Sequence, residues 1–105
     1  MYTRSFECSF KPEKREEFTN AVRGELLPIL QKQAGFADLL CLLSAENLDH
    51  CFLMTFWISQ SDADNFFQRN APVTELLKPY LKEHKIENFY VESSTLMQVA
   101  AAKAA

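Results

Sequence analysis

The stretch that decides the fold is FADLLCLLSA, Phe36–Ala45, followed across the polar link Glu46-Asn47-Leu48-Asp49-His50 by CFLMTFWI, Cys51–Ile58. Two nearly unbroken apolar runs joined by a short polar link predict a β-hairpin, whose strands are antiparallel. Antiparallel strands in a small protein commonly alternate apolar and polar residues, because one face of the sheet meets water. This hairpin leaves almost nothing for water. Each face therefore needs a cover: one from the chain's own helices, the other from a second subunit, a ligand or both.

Towards the N-terminus, Tyr2, Phe6, Cys8 and Phe10 alternate with Thr3, Ser5, Glu7 and Ser9, the period of a strand with one apolar face. Arg4 interrupts the apolar series and is expected on the inner side with it. Lys11-Pro12-Glu13 opens a helix, with proline in the first turn and Glu13, Glu16 and Glu17 near the positive end of its dipole. Phe18, Val22, Leu26, Ile29 and Leu30 form its stripe. The Pro28 ring would press on the carbonyl four residues back, at Gly24, which predicts a kink in a helix that continues to a Gly35 C-cap.

Towards the C-terminus, Ser59 and Asp62 have capping-box spacing, with Asp replacing the usual Glu or Gln, ahead of a helix carrying Ala63, Phe66 and Phe67 to about Asn70. Pro72 is expected to start a short helix over Val73 to Lys82, frayed at Pro79. Ile86–Ser93 predicts the last strand, extended over Thr95–Val99, and residues 100–105 a low-complexity tail. The order strand, helix, strand, strand, helix, strand is that of a ferredoxin-like α+β fold, βαββαβ, with a four-stranded antiparallel sheet. A single domain is expected over residues 1–99. Its helices cover one sheet face and leave the other bare.

Composition narrows the function. A chain of 105 residues with formal charge -3 offers no basic field for nucleic acid, and no apolar run approaches the roughly 20 residues of a membrane-spanning helix. Met1-Tyr2-Thr3-Arg4 enters a strand pattern at once, so no leader and a cytoplasmic location are expected. Cys8, Cys41 and Cys51 are odd in number and fit no metal spacing, which predicts buried free thiols and no metal site. With only two glycines there is no phosphate-binding loop and no nucleophile elbow.

Gly35-Phe36 at the end of the first helix, the hairpin closing on Phe56-Trp57-Ile58-Ser59, and the helix opening Asp62-Ala63-Asp64 resemble the antibiotic biosynthesis monooxygenase family of dimeric α+β barrels. The resemblance runs from about Tyr2 to Ser93. It implies a homodimer packed sheet against sheet, and a monooxygenase acting without metal or flavin, and so without a cofactor, on an aromatic, quinol or polyketide-like molecule. The haem-degrading branch of that fold is marked by an Asn, a Trp and a His, and the nearest positions here are Phe6, Phe66 and Leu76. None matches, so haem degradation is not expected. The alternative is a non-catalytic dimeric module of the same fold that binds small molecules or serves a stress response.

In this family the pocket lies between the second helix and the sheet, which nominates Arg4, Phe6, Asn65, Phe66 and Arg69. Arg4 would bind an anionic or phenolate group, Phe66 would form a wall, and Asn65 or Arg69 a polar anchor. Glu7, Thr55 and Trp57 are assigned to the dimer or barrel interior, with Phe52, Met54, Phe56 and Ile58 facing the helices. His50 and His84, in polar surroundings, are expected at the surface.

Overall fold

The computed structural model describes residues 1–47, 49–69 and 75–92. Strands β1 (Tyr2–Phe10), β2 (Phe36–Leu43), β3 (His50–Trp57) and β4 (Leu81–Tyr90) form one antiparallel sheet of order β2-β3-β1-β4. With its two helices this is the expected ferredoxin-like α+β fold. In β1, Tyr2, Phe6, Cys8 and Phe10 are buried on the helix side. Phe10 stacks on Phe18 with ring centroids 5.2 Å apart. Each such buried aromatic side chain stabilises the fold by about 1.5–3 kcal/mol.

The first helix, α1, is not kinked by a simple break. After a 3-10 turn at Pro12–Lys14 it runs as an α-helix over Arg15–Ala21, a π-helix over Val22–Leu26 and an α-helix again over Leu27–Gln31. The Leu27 N–H donates to the Val22 carbonyl, five residues back. Pro28 has no N–H and would crowd the carbonyl of Gly24, so one widened turn resolves the conflict and lets the helix continue. Leu26 and Leu30 stay in phase across it, both buried. Gly35 then turns the chain with φ 79°, a left-handed conformation that glycine adopts without steric cost.

The second helix, α2 (Gln60–Arg69), starts on the anticipated cap. The Asp62 N–H donates to Ser59 Oγ at 3.2 Å, and the Ser59 hydroxyl donates to Asp62 Oδ2 at 3.0 Å. Ala63 and Phe66 are its buried face.

Two expectations about secondary structure are corrected. The described part of the Val73–Lys82 segment is not an α-helix: Lys78–Tyr80 is a 3-10 turn, and β4 begins at Leu81 instead of Ile86. Pro79 sits inside that turn, and the Tyr80 carbonyl accepts from the Lys11 N–H at 3.0 Å, which ties the segment to the end of β1. The expected strand extension over Thr95–Val99 and the tail 100–105 lie outside the described residues.

The phase of β3 is also reversed from expectation. Cys51, Leu53, Thr55 and Trp57 are buried on the helix side, while Phe52, with 37% exposure, lies on the open face. Register explains it: Arg4, Phe6 and Cys8 oppose Thr55, Leu53 and Cys51. Phe52, Met54 and Phe56 oppose Glu7, Ser5 and Thr3 on the other side. In a run apolar on both faces, a shift of one residue exchanges every side chain without disturbing the pattern. Ile58, expected to face the helices, follows the end of β3 and is 59% exposed.

Among the described residues nothing covers the open face. Leu40, Leu42, Phe52 and Phe89 stand on it with exposures of 39, 50, 37 and 43%. No described helix is long and apolar enough to cross a membrane.

Candidate functional site

The helix side of the sheet holds a small cavity of about 40 Å³ between β1, β3, α1 and α2. Among its lining residues only Arg4 and Thr55 carry polar side chains; Phe6, Leu53, Phe66 and Phe67 are typical of the rest. Arg4 is there because it occupies an inward position of β1, opposite Thr55 on β3. Its guanidinium carbon lies 4.0 Å from the centroid of the Phe67 ring. None of the ion pairs among the described residues involves Arg4.

An arginine in such a wall is electrostatically underused. Burial lowers the pKa of Arg4, partly countered by Tyr2 and Asp64 nearby, yet a guanidinium stays charged at any pH the fold survives. Packing over Phe67 returns only part of the lost hydration, since a cation–π contact is worth about 0.5–2 kcal/mol. The Tyr2 hydroxyl is held in its neutral form chiefly by burial and then by the Asp64 charge.

Thr55, expected at the dimer or barrel interior, lines this cavity instead. Its Oγ1 accepts the Trp57 indole N–H at 3.0 Å, and its carbonyl accepts the Thr3 hydroxyl at 2.9 Å. Trp57 is likewise corrected to the monomer's own core, with no exposure, packed edge-on to Phe36 and Phe67 and tilted against Phe66. Both were missed for one reason, the phase of β3.

Of the five nominated pocket residues, the structure gathers Arg4, Phe6 and Phe66 at the cavity. Asn65 and Arg69 line a separate cleft of about 120 Å³ beside Gln33, Ala34 and Asp62, touched by Phe66 from its other side. They share the outer face of α2, one turn apart. Leu26, Leu30 and Phe67 also line the cavity. The apolar stripe of α1 marks the two leucines, and the apolar group Ala63, Phe66 and Phe67 of the second helix marks Phe67.

The histidines stay outside this site. His50 Nε2 lies 3.3 Å from Glu7 Oε1 on the open face, and His84 stacks on the Phe6 ring at 5.1 Å. A broad groove of about 230 Å³ runs between them across β1, past Glu7, Cys8, Ser9, Glu83 and Lys85. His84 is exposed as expected, whereas His50 is half-buried. Among the described residues no group of three or more His, Cys, Asp or Glu could hold a metal ion.

Residues 1–72 match the antibiotic biosynthesis monooxygenase family. No curated protein matches the chain. Among solved structures, a conserved protein from Methanosarcina mazei Go1 is 23% identical with TM-score 0.74, covering 88% of this chain and 94% of that one. A cofactor-independent oxygenase from Streptomyces nogalater is 11% identical with TM-score 0.72, covering 90% and 95%. A monooxygenase from Streptomyces coelicolor in complex with the ligand nanaomycin D is 15% identical with TM-score 0.74, covering 89% and 88%. At these identities the likeness to solved structures is one of fold.

Proposed function

We propose, on the premise that this chain belongs to the antibiotic biosynthesis monooxygenase family, that it is a cofactor-independent monooxygenase which binds an acidic aromatic molecule, such as a quinol or a polyketide-like phenol, at the Arg4 cavity. The observation that carries the reading is Arg4 itself: a half-buried cation in an apolar wall, with no acid paired to it among the described residues.

An anion completes such a site. A phenol entering the cavity loses its proton more readily beside a guanidinium, because a nearby opposite charge favours the ionised form. The phenolate or enolate is electron-rich and reduces oxygen directly. For a methylene flanked by aromatic rings the balance is CH₂ + O₂ → C=O + H₂O, both electron pairs coming from the substrate. The protein's part is to bind, orient, hold the anion and exclude water. The Thr55 hydroxyl, which accepts from Trp57, keeps its own proton to donate towards the bound oxygen anion. The open volume of about 40 Å³ admits little more than a water molecule, so an aromatic ligand enters by displacing side chains such as Phe67.

Dimerisation belongs to the same reading. Leu40, Leu42, Phe52 and Phe89 form an exposed apolar group on the bare sheet face, and a second copy packed sheet to sheet would bury it. A cytoplasmic location goes with it, since three unpaired thiols suit a reducing compartment.

The rival reading, a non-catalytic binding module, is favoured by the apolar lining and by the absence of Asn65 and Arg69 from the cavity. Titration of Trp57 fluorescence with naphthols and anthrones tests the shared premise. Saturable quenching that weakens in Arg4→Met is expected. An unchanged signal across the panel would remove the cavity as a ligand site.

A further inference from the structure

The three cysteines, which the oxygenation chemistry does not use, are aligned across the sheet. Cys8 on β1 and Cys51 on β3 are direct cross-strand partners. Their thiols are 2.9 Å apart, and the residues are 2% and 0% exposed. Directly opposed antiparallel residues have Cα atoms about 4.5–5.5 Å apart, inside the roughly 4.4–6.8 Å that a disulfide spans. Cys41 lies on the edge strand β2 opposite Leu53, two residues along β3 from Cys51 on the same face. It is exposed, contrary to the expectation that all three thiols are buried. The row therefore runs from solvent at Cys41 to the middle of the sheet at Cys8.

We propose that Cys41, Cys51 and Cys8 form a thiol relay, in which Cys41 accepts the oxidising equivalent of a hydroperoxide and passes it inward, ending as a Cys8–Cys51 cross-strand disulfide. The Cys41 thiolate attacks the peroxide, breaking the O–O bond to give its sulfenic acid and an alcohol, or water from hydrogen peroxide. The Cys51 sulfur then displaces the sulfenic hydroxyl, which leaves as water with the Cys51 proton, and a Cys41–Cys51 bond forms. Cys8 attacks the Cys51 sulfur, that bond breaks, and Cys41 leaves as a thiol carrying the Cys8 proton. In sum, two thiols lose two electrons and two protons to one hydroperoxide.

Geometry sets the direction. Diagonal neighbours on antiparallel strands are about 7–8 Å apart at Cα, beyond the span a disulfide usually takes, so the Cys41–Cys51 bond forms only with a shift of the edge strand β2, is strained, and yields to the directly opposed pair. Cys41 is the exposed thiol of the three, while Cys8 and Cys51 are buried, so an oxidant from solvent meets Cys41 first. The neighbouring Cys51 thiol pushes the Cys41 pKa up, so the first step is slow at neutral pH and quickens as pH rises.

The test is hydrogen peroxide treatment of the intact protein, then unfolding, alkylation and digestion with trypsin plus a Glu-specific protease, which cuts at Glu46 between Cys41 and Cys51. A mass lower by two hydrogens is expected, with the Cys8 peptide joined to the Cys51 peptide and Cys41 alkylated. Cys41→Ser should slow that linkage at least about tenfold, and Cys8→Ser should stop it at Cys41–Cys51. If Cys8 and Cys51 stay fully alkylatable while Cys41 is oxidised, the relay is overturned. It is equally overturned if folded Cys41→Ser, checked by circular dichroism, links Cys8 to Cys51 at the wild-type rate.

Discussion

The Arg4 guanidinium carbon sits 4.0 Å from the centroid of the Phe67 ring, on an inward position of β1 between the buried rings of Tyr2 and Phe6. Phe67 belongs to α2, so this contact joins the sheet to the helix across the mouth of the cavity. A charge held there costs hydration that the fold recovers only in part. Such a cost is reasonable where a ligand supplies the missing anion.

Replacing Arg4 by methionine separates those roles. Exchanging an unpaired, half-buried charge for an apolar side chain of similar length is often neutral or stabilising, so thermal unfolding of Arg4→Met should show an unchanged or higher midpoint. Affinity for a phenolate should fall about 10- to 100-fold, the equivalent of one charge-assisted hydrogen bond of about 1.5–3 kcal/mol. Calorimetric titration measures it. Arg4→Met binding as tightly as wild type would remove Arg4 from the site.

The two faces of β3 predict opposite phenotypes. Trp57→Ala, in the sealed core, should cost about 3–5 kcal/mol in urea unfolding. Leu42→Glu and Phe52→Glu, on the bare face, should leave the monomer folded but abolish self-association in light scattering. A dimer that tolerates both charges would place the interface elsewhere.

How far this was legible follows from the pattern around each residue. Tyr2, Phe6, Cys8 and Phe10 alternate with polar residues, so the inward phase of β1, and Arg4 with it, could be read directly. Cys51–Trp57 has no such contrast: Thr55 is its one polar member, and it faces inward because Trp57 needs an acceptor for its indole N–H. The Val73–Lys82 segment has helical apolar spacing, yet Pro79 and the backbone bond from Lys11 to Tyr80 impose a turn and an early strand. Asn65 and Arg69 are nominated by the family's pocket between the second helix and the sheet and by sharing a turn with Phe66. Ala63 and Phe66 are the buried residues of α2, and Asn65 and Arg69 are exposed.

Gly35 should resist substitution for two reasons at once. Its φ of 79° disfavours any other side chain, and a Cβ there would overlap the Asp62 side chain that caps α2. Gly35→Ala is expected to lose at least about 1–2 kcal/mol in urea unfolding. Removing the overlap in Gly35→Ala/Asp62→Gly should make the double variant less unstable than the two single losses summed. Strict additivity would show that only the backbone conformation matters.

Alkaline stability should report the buried thiols. The hydrogen bond with Cys41 lowers the Cys51 pKa, but the bond with Cys8 and burial outweigh it and push it up to about 12. An unfolded thiol ionises near pH 8.5. Between about pH 8.5 and 12 the unfolded chain therefore gives up a proton that the native state keeps, and stability falls as pH rises. In the presence of reductant, Cys51→Ala should flatten that decline in chemical unfolding followed from pH 7 upward. An identical slope in both proteins would mean that other groups control it.

Oxygen uptake reads out the proposed reaction itself. With an electron-rich anthrone or quinol, and with chelator present and no flavin added, the wild-type protein should consume one O₂ per product carbonyl formed, and Arg4→Met should lose most of that rate while remaining folded. A panel that gives saturable binding but no uptake above the uncatalysed rate would contradict catalysis and leave a binding module. Uptake unaffected by Arg4→Met would contradict the site.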